Sequence, residues 1–245
     1  MPWLAAMALL LAIFYLMDRR NFLRAPLSLR KEEAEQGHWT IEGLGNMFPL
    51  LAILGAIFLP TPWREMVMIL AGVLSWYLTP RLLHEQNAFH FAPIKEVAWL
   101  FLGIFTTMIP ALDYLEYHAH ALASSLGMGA FHFYYVTGIF SSLLDNAPTY
   151  LALLSVEMGL QGGSLHDASD VLRVATQNPL HLIAISLGAV FFGAMTYIGN
   201  GPNFMVKSMV TAHGIKTPDF FQYLFRYALP ILLPILILVG WLFLR

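Results

Sequence analysis

The residues that most limit how this chain can fold are Ser141-Ser142-Leu143-Leu144-Asp145-Asn146-Ala147-Pro148-Thr149-Tyr150, a polar break between apolar runs at 131–140 and 151–156. A charge in such surroundings is expensive, so Asp145 needs a function or a partner. Pro148 lacks an N–H and biases Ala147 away from helix, so two short helices are expected to meet here with backbone groups left unpaired. A simpler role for Asp145 is to cap the second helix, because Asp and Asn are favoured caps and Pro148 suits a first turn. Capping accounts for Asp145 or Asn146 but not for both. With Ser141, Ser142 and Thr149 alongside, the break reads as a binding site.

Composition tells what surrounds it. The chain is 58% hydrophobic and only 11% charged, which no ordinary soluble domain matches. It reads as an all-α integral membrane protein, a polytopic helical bundle with the lipid bilayer as its first partner. A formal charge of −2 and the lack of a basic tail exclude nucleic acid as a partner. There is no Cys for disulfides, thiolate metal sites or thiol nucleophiles.

Two parts follow from the chain order. Residues 1–43 hold a membrane helix at 3–17 and a loop at 18–43 that carries five of the thirteen Lys and Arg residues, which places the loop in the cytoplasm. Residues 44–245 form the second part. Scaffold helices occupy 44–112, with 44–59 and 65–78 as an antiparallel pair around Pro60-Thr61-Pro62-Trp63-Arg64. The next span is 94–112, followed by an interfacial helix at 114–126. His84 and His90, and likewise His118 and His120, are spaced wrongly for chelation and are read as interfacial.

A core then runs over 131–245. The two halves of 131–158 are each too short to cross a bilayer, so the segment is either a re-entrant hairpin or one long broken span. A hairpin puts ten Lys and Arg inside and three outside, whereas a crossing gives nine and four, so the hairpin is preferred. Residues 161–178 are expected to be a solvated loop. The span 180–195 is interrupted by Thr196-Tyr197-Ile198-Gly199-Asn200-Gly201-Pro202-Asn203 before helix resumes at 204–212. Gly199 and Gly201 permit positive φ or close approach to a ligand, and Pro202 starts the next half-helix. Residues 223–244 form a last span with Pro230 and Pro234.

Two interrupted membrane segments in one bundle point to the midplane site of a secondary transporter. Ser141-Ser142-x-x-Asp145-Asn146-Ala147-Pro148-Thr149 and Tyr197-Ile198-Gly199-Asn200-Gly201-Pro202-Asn203-Phe204 resemble the paired motifs of the ion transporter superfamily. That group includes citrate and dicarboxylate carriers, arsenite permeases and type D sodium–proton antiporters. The segment from Pro93 to Phe105 is similar to the helix before these motifs in the antiporter-like branch. The likeness runs from about Gly43 to the end and covers only the second of the family's two inverted halves. It implies a re-entrant hairpin whose tip, with Asp145 and Asn146, faces a discontinuous helix broken at Asn200. It also implies a missing wall, supplied by a complementary N-terminal half or a second copy.

The resulting expectation is ion-coupled secondary transport in a bacterial inner membrane, most simply sodium–proton antiport by a half-transporter, with no cofactor beyond the transported Na⁺ or H⁺. Asp145 exchanges the proton for Na⁺. Ser141, Ser142, Asn146, Thr149, Thr196, Gly199, Asn200, Gly201 and Asn203 complete the ion or substrate site, with Asp145 and Asn146 as sodium ligands. Oxygen ligands suit such a hard cation. Uptake of citrate, a dicarboxylate or another anion is the alternative within transport. From another class, the chain is a non-transporting subunit that assembles with a partner half, both breaks being caps. An intramembrane hydrolase lacks a paired Asp or a Ser set with a membrane-embedded His.

Overall fold

The computed structural model describes residues 1–28, 30, 42–86, 91–119, 121, 129–212 and 214–244. The charged run Lys31, Glu32, Glu33 and Glu35, together with His90 and His120, lies outside these residues. Every regular element among the described residues is helical. Contacts divide the chain into two units, residues 1–19 with 92–245, and residues 20–91.

The first helix, α1 (Pro2–Arg24), is longer than the apolar run alone predicts. Nothing from Asp18 to Arg24 breaks a helix, and the first proline beyond it is Pro26. The added, largely charged turns give it length, and with the apolar run before them the helix is long and apolar enough to cross a bilayer.

In the smaller unit, α2 (Met47–Ala56) and α3 (Trp63–Leu78) are antiparallel. Asn46, at the start of α2, donates to Thr79 Oγ1 at 2.7 Å and accepts from Ser75 Oγ at 2.9 Å, both at the end of α3. The pairing is as expected, but the helices are shorter than spans. The apolar stretch Leu44–Ala56 and the 16 residues of α3 fall below the roughly 20 that a full crossing needs. A short α4 (Arg81–Gln86) follows.

The larger unit holds α5 (Ala92–Tyr117), α6 (Ala130–Ser141), α7 (Asn146–Leu160), α8 (Ala168–Gln177), α9 (Pro179–Phe192), α10 (Gly201–Ala212) and α11 (Phe220–Phe243). Helix α5 carries Pro110 inside it and runs on to Tyr117, so the residues from Tyr114 that were expected to start a separate interfacial helix extend the span instead. The expected loop at 161–178 contains α8, which Asp167 caps by accepting from Ser169 N at 2.8 Å. Helix α11 begins three residues before Tyr223 because Asp219 and Gln222 form a reciprocal capping box. It widens to π geometry over Leu224–Leu232, the stretch that contains Pro230.

Four contacts fix the directions of α6, α7 and α9. The Phe133 ring, early in α6, lies 5.3 Å from the ring of His181, early in α9. Glu157, late in α7, bonds the same His181 at 3.1 Å. At the opposite ends, Ser141 of α6 donates to the Ala189 carbonyl of α9, and Asn146 of α7 lies against Gly193. Helices α6 and α9 therefore run parallel and in direct contact, and α7 runs back alongside them, so 130–160 is a hairpin with its tip at 142–145. Its arms of 12 and 15 residues extend about 18 and 22 Å at 1.5 Å per residue. Each arm is shorter than a hydrocarbon core of about 30 Å.

Buried Phe133, Tyr134, Leu153, Val156, Ala184, Ile185, Phe192 and Leu236 form the core that holds hairpin, α9 and α11 together. Helix α11 is tied on by hydroxyls: Tyr134 donates to Leu236 O at 3.1 Å, and Tyr223 donates to Ala194 O at 2.8 Å.

Candidate functional site

The site is the place where the hairpin tip meets the break between α9 and α10. Helix α9 ends in a short 3-10 turn, Gly193–Met195, and α10 restarts at Gly201, so residues 196–200 have no regular structure. Carbonyls freed there need partners, and the hairpin tip supplies several. Thr196 Oγ1 donates to Ser142 O at 2.6 Å and accepts from Gly199 N at 2.9 Å. Its hydroxyl thus closes its own loop and ties it to the tip.

Asn146 is the second tie. Its amide is assigned with the nitrogen toward α9, since the reverse would set its oxygen against acceptors only. The nitrogen then donates to Ala189 O at 2.9 Å, Ser141 Oγ at 3.0 Å and Gly199 O at 3.1 Å. Ser141 is fully buried and passes its own proton to Ala189 O.

Glycine makes this closeness possible. A Cβ on Gly199 would lie 2.5 Å from Ser141 O and 2.8 Å from Ser142 O, and one on Gly193 would collide with the Asn146 amide. Positive φ is not the reason, because among the described residues only Gly43, Gly162 and Gly214 adopt it. At Gly201 the nearest atom to an added Cβ is a Phe101 ring carbon 3.8 Å away, an ordinary contact. Of the two glycines that the sequence offered as alike, one is required by packing and the other is not.

Asp145 is the N-cap of α7, with extended φ of −66° and ψ of 153°, and its Oδ1 accepts from Asn146 N at 2.8 Å. Capping and availability are compatible here. Asp145 is half-buried, and among the described residues its Oδ2 has no hydrogen-bond partner. One turn on, Thr149 is 1% exposed and its hydroxyl is unpartnered. Ser142 turns its hydroxyl back to Ile139 O at 2.7 Å and meets the break through its carbonyl.

Ser141, Ser142, Asn146, Thr196 and Gly199 are therefore brought into direct contact. Asp145 and Thr149 belong to the same tip. Asn200, Gly201 and Asn203 lie at the start of α10, where Asn200 O accepts from Asn203 N at 3.0 Å, and no hydrogen bond among the described residues links them to Asp145. Lys207, two turns into α10, places Nζ 3.7 Å from the centroid of Tyr197 in the break. Sequence reasoning missed the Ala189 carbonyl, Gly193, Glu157 and His181. Glu157 had a signal: it follows Asn146 by 11 residues, three helical turns, and so shares its face of α7.

A family described as "Putative citrate transport" matches residues 1–244. The chain belongs to that family. No curated protein and no solved structure matches it. Membership in this transport family and the apolar helices together make the chain an integral membrane transport protein.

Proposed function

We propose that the chain supplies one wall of the ion-coupled site of a secondary transporter, with Asp145 as the carboxylate that exchanges a proton for a cation, in the simplest case Na⁺. The observation that carries this reading is the interlocked pair of breaks, at which Asp145 has one carboxylate oxygen capping α7 and the other uncommitted. The unpartnered Thr149 hydroxyl, one turn on from Asp145, is the nearest neutral oxygen, and Ser142, Asn200 and Asn203 are proposed as the others. Asn146 acts by locking tip to break, because its amide nitrogen is already committed to protein oxygens. The second wall comes from a complementary half or a second copy, and the setting is a bacterial inner membrane.

A second reading, uptake of a citrate-class anion coupled to the same cation, has its own support. The family carries that description, and Lys207 over Tyr197 sets a cation beside the break, next to the N-terminal turn of α10, where partial positive charge favours anions.

The test is exchange in vesicles containing the assembled transporter, read as dissipation of a pH gradient on adding Na⁺ and, separately, as uptake of labelled citrate. Asp145→Asn should abolish cation-coupled transport with insertion intact, because the amide still caps but carries no titrating charge. Asp145→Glu should keep part of the activity. If Asn transports as fast as wild type, Asp145 is a cap only. Na⁺-driven proton movement without citrate uptake selects antiport, and the reverse selects anion uptake. Saturable flux from this chain alone would make a second copy the other wall.

A further inference from the structure

The larger unit holds a second buried carboxylate that the transport site does not use. Glu157 is fully buried in α7, and both its oxygens lie 3.1 Å from His181 Nδ1 on α9. Gln161 Nε2, one turn on, donates to Glu157 Oε1 at 3.2 Å. Because Glu157 and Asn146 share one face of α7, the pair faces α9 about 16 Å from the tip, at the open end of the hairpin.

The choice of partner is informative. A buried carboxylate kept only for structure is best neutralised by a permanent cation, since an unpaired charge in a membrane segment is expensive. Arg173 is the nearby candidate, but it is engaged elsewhere, with Asp170 at 3.0 Å and with the Gln161 carbonyl at 3.3 Å. Two acids late in α5 are engaged as well. On α5, Glu116 accepts from Leu165 N at 3.0 Å, and Asp113 bonds His166 at 3.1 Å. Helix α6 presents the Phe133 ring. Glu157 is thus left with an imidazole, the one side chain whose charge is readily reversible near neutral pH.

We infer that Glu157 and His181 form a proton-binding site at the mouth of the hairpin, separate from Asp145, that loads and releases the proton used in transport. In the unloaded state, Nδ1–H of neutral His181 donates to the Glu157 carboxylate and the pair carries one negative charge. Proton uptake at Nε2, on a side chain one-quarter exposed, gives an imidazolium–carboxylate pair of zero charge. No bond to carbon changes, and the proton comes from and returns to water on the side of the 161–178 loop. The inference deepens the transport reading and rests on it for its role, but not for the proton binding itself.

Two measurements separate those claims. In the purified full chain, a step from about pH 8 to about pH 6 should load about one proton more per chain in wild type than in His181→Gln, read with a pH-sensitive dye. Glutamine keeps a donor for Glu157 but takes no proton, and Glu157→Gln serves as the second variant should the first fail to insert. In vesicles, cation exchange by His181→Gln should vary less than about twofold over that range where wild type varies by about tenfold, because one titrating proton has been removed. Equal proton uptake overturns the inference even if Asp145→Asn abolishes exchange. Unequal uptake with an unchanged pH profile also overturns it, by denying the proton a part in transport. Unequal uptake with a flattened profile supports it, whatever Asp145→Asn does.

Discussion

Replacing Gly199 by Ala tests whether the two breaks are interlocked as described. A Cβ there would lie 2.5 Å from Ser141 O and 2.8 Å from Ser142 O, both backbone atoms that cannot rotate aside. Restoring ordinary contact requires the break to withdraw from the tip by about 1 Å. That movement stretches the Asn146–Gly199 O bond of 3.1 Å and the Thr196–Ser142 O bond of 2.6 Å beyond useful range. Each is worth about 1 kcal/mol net, more where the acceptor is left buried, so the loss is about 2–4 kcal/mol. For a chain of 245 residues this corresponds to a fall in Tm of roughly 5–12 °C. Gly201→Ala is the control, because its Cβ meets only the Phe101 ring at 3.8 Å. Alanine there should leave Tm unchanged or raise it slightly, since it favours the first turn of α10. The assay is thermal unfolding of the purified protein in detergent, followed by tryptophan fluorescence and by loss of monodisperse material. If Gly199→Ala melts with wild type, or if the two variants fall equally, the interlock is not what holds the breaks together.

Two further predictions address the loops. Single cysteines can be placed freely in a chain that has none: one at Asp167 should react with an impermeant thiol reagent from outside the cell, and one at Lys216 only from the cytoplasm. Labelling of both from one side would sink the topology. Asp167 caps α8, and its hydrogen bonds from Ser169 hold its carboxyl below the usual carboxylate range. Its contribution is therefore fully present above the ordinary value of 3.8 and is lost as pH falls through the lowered one. Relative to the intrinsic exchange rate at each pH, the protection of the Ser169 and Asp170 amides should fall only under those acid conditions, whereas Asp167→Ala should lose that protection at neutral pH as well.

Much of the architecture was legible because single residues leave few options. Asp145, Pro148 and the Gly-Asn-Gly-Pro run cannot continue an apolar helix, so two breaks were foreseeable, as was the cap at Asp145. Charge counting alone preferred a hairpin, and the shared contact of Phe133 and Glu157 with His181 shows one. Helix ends were less legible: α1, α5 and α11 each departed from the apolar run because caps and the next breaker, not hydropathy, set where a helix stops.

What the sequence by itself determined is the class of protein, the two breaks and the carboxylate within the first of them, because membrane burial and proline act on the residue where they occur. Only the tertiary structure decided that Gly199 is required and Gly201 is not, that Asn146 serves as a lock, and that Glu157 meets His181. The physical reason is common to all three. Each depends on an atom more than 20 positions away in the chain: the Ser141 carbonyl for Gly199, the Ala189 carbonyl for Asn146, the imidazole for Glu157. Such partners become visible only when α7 folds back along α9.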